Sequence, residues 1–184
     1  MKKVLTVFVL SLFVAFAAFA DTPTEKAVGY DGGLSYRMIM ASDIGIQGIL
    51  GLNYDSPADS DNNDSALDLS IGVNVFKCMW EAEKGNLNAF AGVNIDMDGC
   101  TIKDSDSVTN ISIKVGLEPE IFLLNNLSVS TKFGVQIMLL GDTIDTNPNS
   151  ADYGKAVTDS GSMQLGTFGQ GVSIVSGAAF NWYF

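Results

Sequence analysis

Residues 66 to 75 read ALDLSIGVNV, in which Leu67, Leu69, Ile71, Val73 and Val75 alternate with Asp68, Ser70, Gly72 and Asn74. Successive side chains of an extended chain point to opposite sides, so this period of two predicts a β-strand with one aliphatic and one polar face. The pattern recurs along the chain. Leu34, Tyr36, Met38 and Met40 alternate with Ser35 and Arg37, and Ile44, Ile46, Leu50, Leu52 and Tyr54 alternate with Gly45, Gln47, Gly51 and Asn53, Ile49 being the exception. Ile111, Ile113, Val115 and Leu117 alternate with Ser112, Lys114, Gly116 and Glu118, and Leu127, Val129, Phe133, Val135 and Ile137 alternate with Ser128, Ser130, Lys132, Gly134 and Gln136. Strands are predicted over 33–41, 44–54, 66–79, 87–97, 109–121, 126–140 and about 171–184. A short eighth is predicted over 26–30, followed by Asp31-Gly32, a pair suited to a type I′ hairpin turn. Residues 162–168 are expected to extend the last strand. No stretch has a helical period, so the chain is predicted to be all-β.

The connections alternate too. Short links at 41–43, 81–86 and 123–126 take turns with long polar ones at 55–65, 98–108 and 141–161. In an antiparallel up-and-down arrangement this puts the short turns at one end and the long loops at the other, the polarity of an outer-membrane barrel.

Two environments fit such strands: a soluble barrel with the aliphatic stripe inside, or a membrane barrel with that stripe against lipid. A Lys or Arg facing lipid near the midplane costs about 2–4 kcal/mol. Within the clear strands only Lys77 falls on the aliphatic parity, beside a short turn where its long chain can reach water. The polar parity is rich in glycine, with Gly45, Gly51, Gly72, Gly92, Gly116, Gly134 and Gly177. A face washed by solvent has little use for them, whereas a narrow lumen needs the room. The expected lumen groups are Arg37, Gln47, Asp68, Asn74, Lys114, Glu118, Lys132 and Gln136, and the expected lipid-facing groups include Leu67, Leu69, Ile71, Val73, Ile111, Ile113, Val115 and Val135. The expectation is an eight-stranded antiparallel up-and-down transmembrane β-barrel. A secreted soluble barrel binding a small apolar ligand is the rival.

The first residues support export. Lys2 and Lys3 precede the apolar run Val4 to Phe19, and Ala18-Phe19-Ala20 stands before Asp21, the layout of a cleavable signal peptide over 1–20 with the barrel domain over 21–184. Cleavage removes two lysines and leaves eight bases against 21 acids, a formal charge of −13. Nucleic acid is excluded as a partner, since its binding draws on Lys and Arg. No later run of 18 apolar residues offers a membrane-spanning helix.

The chain ends AAFNWYF, with Phe180, Trp182 and Phe184 on one parity. An alternating last strand with a terminal Phe resembles the assembly signal of bacterial outer-membrane barrels. Together with GLSYRMIMASDIGIQGILGLNY and VGLEPEIFLLNNLSVSTKFGV, it is similar to the small outer-membrane β-barrel domain family, OmpA/OmpX-like in architecture. The resemblance spans most of 27–184. It implies a Gram-negative outer-membrane location, lipid and lipopolysaccharide around the wall, and delivery by the barrel-assembly machinery through the C-terminal strand.

Chemistry is sparse. There is no His, which removes the usual base of Ser-His-Asp and Cys-His catalysis; no enzyme and no cofactor are expected. Asp59, Asp61, Asn63 and Asp64 begin like a calcium loop, but Asp64 stands where glycine is needed and Ser70 where a bidentate Glu belongs. Only loose cation attraction by the acidic loops is expected. Cys78 and Cys100 fall at opposite ends of a predicted hairpin, too far apart to bridge. Lys132 and Glu118 fall close across the 123–126 turn and are expected to pair in the lumen, networked with Lys114 and Gln136. The resulting picture is a monomer with a filled bore, serving envelope integrity, adhesion or lipopolysaccharide contact, with a narrow channel as a further alternative.

Overall fold

The computed structural model describes residues 25–40, 43–56, 64–102, 104–158, 163–167 and 178–184. The segment 1–20, the start of the calcium-like loop and part of the last predicted strand lie outside the described residues. Every regular element described is a strand: β1 (Glu25–Tyr30), β2 (Leu34–Ile39), β3 (Ile44–Asp55), β4 (Ala66–Ala82), β5 (Gly85–Asp98), β6 (Val108–Leu124), β7 (Leu127–Thr131), β8 (Phe133–Leu140), β9 (Asp142–Ile144), β10 (Ala156–Thr158), β11 (Met163–Thr167) and β12 (Ala178–Tyr183).

Antiparallel pairing runs in sequence order from β1 to β6. The next wall position is shared by β7 and β8, both paired to β6, and the last by β11 and β12, paired to β8 and β7. β12 also pairs with β1, which closes an eight-position barrel. The predicted strand over 126–140 is thus interrupted at Lys132. The first hairpin differs from the expected type I′ turn: its link is Asp31 to Gly33, with the Asp31 N–H bonded to the Gly33 carbonyl, and Gly32 takes the left-handed φ of 69° that the tight reversal requires. The remaining links keep the predicted alternation of short and long.

Registers fix the stagger. From Tyr30 the pairing leads through Leu34, Leu50, Ile71 and Ile95 to Ile111 on β6. In the other direction it leads from Tyr30 through Phe180 and Val129 to Ile121, ten residues further along the same strand. With eight strands, a rise of about 3.3 Å and a spacing of about 4.8 Å, this stagger tilts the strands about 40° from the barrel axis. A barrel of this size has an interior just wide enough for side chains to fill.

The faces sort as the alternation requires, and the barrel is inside-out relative to a soluble one. The largest fully buried side chains are Arg37, Gln47, Glu118, Asn88, Asn94 and Asn181, whereas Leu67, Val75, Ile113, Val115, Phe133 and Ile137 are exposed on the outer wall. Leu69, Ile71, Val73, Ile111 and Val135 share that outer parity and are half-covered by their neighbours. Phe180, Trp182 and Phe184 also point outward and are exposed. A bulge between Cys78 and Trp80 leaves Met79 unpaired, so that Met79 and Trp80 both stand out at the short-turn rim. Among the described residues the buried apolar rings inside the bore are Phe76 and Phe90. Gly45 makes space for Phe76: a Cβ there would lie 1.9 Å from the Phe76 Cζ.

Candidate functional site

The lumen holds the concentrated polar chemistry of the molecule. β2 carries Arg37 inward, β6 carries Glu118 and Glu120, and β12 carries Asn181 and Tyr183; closure of the barrel brings these three distant stretches together. The Arg37 Nη2 donates to Glu118 Oε1 at 2.6 Å and Nη1 lies 3.5 Å from Glu120 Oε2. The guanidinium also stacks over Phe76, 4.4 Å from the ring centre. Ser130 donates to Glu118 at 2.7 Å, and the Tyr183 hydroxyl donates to Glu120 Oε1 at 2.6 Å. Ser128, Asn88 and Asn181 complete the shell of Glu120. Carboxylates buried this deeply need ion-pair and hydrogen-bond partners; both glutamates have them, Glu118 through Oε1, while its Oε2 has no hydrogen-bond partner among the described residues.

A second ionic cluster sits beside the first. Lys132, at the break between β7 and β8, pairs with Asp31 on the β1–β2 turn and donates to Gln47 Oε1 at 3.1 Å. Gln47 in turn accepts from Asn74 at 3.3 Å. Lys132 and Glu118 do approach each other, at 3.8 Å, but neither is the other's nearest partner: Glu118 belongs to Arg37 and Lys132 to Asp31. The expected extension to Lys114 and Gln136 takes another form. Lys114 is buried and register-paired with Gln136, yet makes no ion pair within 4 Å among the described residues. The physical reason lies in the strand tilt, which carries each inward side chain toward residues on other walls as well as toward its register neighbour.

Asp68 belongs to the loop-end rim of the lumen. It accepts from Asn53 and from the Gly99 N–H, both at 3.0 Å, while Asp96 accepts from Ser70 at 2.6 Å and from Asn94. Among the predicted cation-attracting loop residues, Asp64 is exposed and accepts from the Asp104 N–H; Asp59, Asp61 and Asn63 lie outside the described residues. The long loops brace each other. The Asp106 N–H donates to the Gly154 carbonyl, and the Ala156 N–H donates to the Asp106 carboxylate. At Asp145, side-chain and backbone hydrogen bonds from Ser150 and Asn147 hold the carboxyl below its ordinary range. Cys78 and Cys100 are both free thiols.

At the short-turn end an open vestibule of about 940 Å³ lies between the β4–β5 and β6–β7 turns, lined by Glu81, Glu83, Lys84, Asn86, Phe122 and Tyr183 among others. Tyr183, Glu120 and Arg37 separate it from the rest of the bore.

Seven polar members of this machinery are not among the expected lumen groups: Asp31, Asn88, Glu120, Ser128, Ser130, Asn181 and Tyr183. Glu120 and Tyr183 had a usable signal, since Glu120 shares the inward parity of Glu118 and Tyr183 that of Asn181. Asp31 had none, because it was read only as turn chemistry. Ile49, the exception to the alternation, is buried on the inward face.

The fold and lumen together define a class: a closed eight-stranded antiparallel barrel, filled by a charged hydrogen-bonded network and apolar on its outer surface. No family model and no curated protein matches the chain. Among solved structures it is similar to the attachment invasion locus protein Ail of Yersinia pestis, at 13% sequence identity and a TM-score of 0.40, over 87% of this chain and 93% of that one.

Proposed function

We propose that the protein is a small outer-membrane β-barrel, exported with a cleaved signal peptide, whose bore is closed by the Arg37–Glu118–Glu120 and Lys132–Asp31 clusters. Its acidic loops would form a surface for contact with lipopolysaccharide or an adhesion partner, and its role is structural rather than enzymatic. The observation that carries this reading is the inversion of burial. Arg37 is 1% exposed and Glu118 0%, while Leu67 on the outer wall is 59% exposed. In water that arrangement would waste the hydrophobic driving force; against acyl chains it satisfies both faces. The same inversion counts against the rival soluble barrel, since an apolar ligand would have to sit among buried charges.

Delivery by the barrel-assembly machinery through Phe180, Trp182 and Phe184, and a monomeric state in the membrane, belong to the same proposal. The test is fractionation of cells expressing the full chain, followed by electrophoresis with and without heating. The expected result is recovery in the outer-membrane fraction with a heat-dependent change in mobility. Recovery in the soluble fraction would overturn the reading. Planar-bilayer recording is expected to show no steady conductance, because paired charges block the bore.

A further inference from the structure

The wall of the barrel is not equally tall all round. β4 and β6 each run for 17 residues, whereas β1 and β2 have six each. At about 3.3 Å per residue and the tilt above, six residues cover about 15 Å of the axis, against an apolar band about 25 Å tall. The level of the hairpin tip is fixed independently by chemistry: Asp31 at the tip pairs with Lys132, which donates to Gln47, so the tip stands at the ionic layer in the middle of the bore. Leu34–Leu50 is the last pair between β2 and β3, and among the described residues no strand pairs with the β2-side edge of Leu52–Asp55. Leu52 is accordingly 68% exposed, compared with 37% for Ile113 on a flanked strand.

An unpaired strand edge and a tight turn do not persist in hydrocarbon, because each unsatisfied backbone group costs several kcal/mol there. Two tyrosines flank this low wall from the outside, Tyr30 and Tyr36, both partly exposed. Tyrosine is the side chain that seeks the boundary between acyl chains and water, yet these two stand at mid-barrel level.

We propose that on the β1–β2 face the polar layer of the outer leaflet dips to the middle of the barrel, seating an amphiphile headgroup and its water over the 31–33 turn and the free edge of β3. The headgroup supplies acceptors and donors that lipid tails cannot, and the phenols of Tyr30 and Tyr36 mark the lowered boundary. The inference rests on the membrane reading above and adds an asymmetry to it.

The test uses the full chain with Cys78→Ala and Cys100→Ala, reconstituted in phosphatidylcholine vesicles, carrying one spin label at a time. Leu34→Cys and Leu52→Cys report the low wall; Val73→Cys and Ile113→Cys, at matching axial levels by the stagger, report the tall wall. The expected result is that a water-soluble nickel chelate relaxes the labels at 34 and 52 several-fold more than those at 73 and 113, while oxygen favours the latter pair. A label shielded from the chelate at either 34 or 52, with 73 and 113 also shielded, overturns the dip and leaves the membrane barrel standing. Free access of the chelate to all four positions overturns the membrane reading itself, and the inference with it.

Discussion

The inner ionic layer of the lumen and the loop-end rim both abound in carboxylates, but they are held in different ways. Below, Glu118, Glu120 and Asp31 meet Arg37 and Lys132, partners that lie up to 101 residues away in sequence. Above, Asp68, Asp96, Asp145 and Asp106 are satisfied by amides, hydroxyls and backbone N–H groups, with no ion pair to them among the described residues. The inner layer is where removal of a group strands a buried charge; at the rim, water stands ready to replace a lost partner. The comparison teaches that the same residue type serves closure of the bore in its interior and surface character at the rim.

The largest effect that sharpens this contrast is expected at Glu118. Glu118→Ala leaves the buried Arg37 with the more distant Glu120 as its one carboxylate within 4 Å among the described residues, and breaking such a pair costs about 3–5 kcal/mol, read as a lower midpoint of urea unfolding in lipid vesicles. An unchanged midpoint would mean that the Arg37 pair contributes nothing to the barrel. Asp31→Ala comes next. Lys132 keeps Gln47 and the longer approach to Glu118, so the loss is expected near 1–3 kcal/mol, and the β1–β2 hairpin should exchange its amides faster than the rest of the wall. Tyr183→Phe removes one hydroxyl from the shell of Glu120 and keeps the ring against Phe122, 5.6 Å between centres; about 1 kcal/mol is expected by the same unfolding assay.

The smallest effect belongs to the rim. Because the Asp145 carboxyl is held below its ordinary range in the folded loop, its contribution is present above the unfolded value near pH 4 and is lost as pH falls through the lower folded value. Acidification is therefore expected to loosen the Asn147 amide, seen as faster exchange in an NMR titration, while amides of β4 and β5 stay protected. Simultaneous loss of protection in loop and wall would erase the distinction between the two regions.

Much of the fold was legible because a strand has only two faces. Once Leu67 to Val75 are assigned outward, Ser70 and Asn74 have nowhere to go but inward, and the same logic places Arg37, Gln47, Glu118 and Lys132 in the lumen. The seven clear strands and the alternation of turn lengths followed from that rule and from polar loop composition. The short first strand was also visible, although its turn chemistry was misjudged: Asp31-Gly32 suggested a two-residue turn, whereas Gly33 belongs to the link and Asp31 turns its carboxylate to Lys132. The pairing of Glu118 was harder. Proximity across the 123–126 turn pointed to Lys132, a local choice, and Arg37 won because closure of the barrel puts β2 opposite β6 across the bore and the stagger brings the two residues to one level.

The sequence alone settled, for the strand residues away from the bulges at Met79 and Leu139, which side of the wall they occupy, since period two is a property of the extended backbone and needs no partner. Which charges meet inside was decided only by closure: β12 against β1 and a displacement of ten residues around the circuit set the tilt, and the tilt chooses the partners. The difference in wall height has the same origin, because it depends on where each strand stands along a common axis that no single stretch of chain contains.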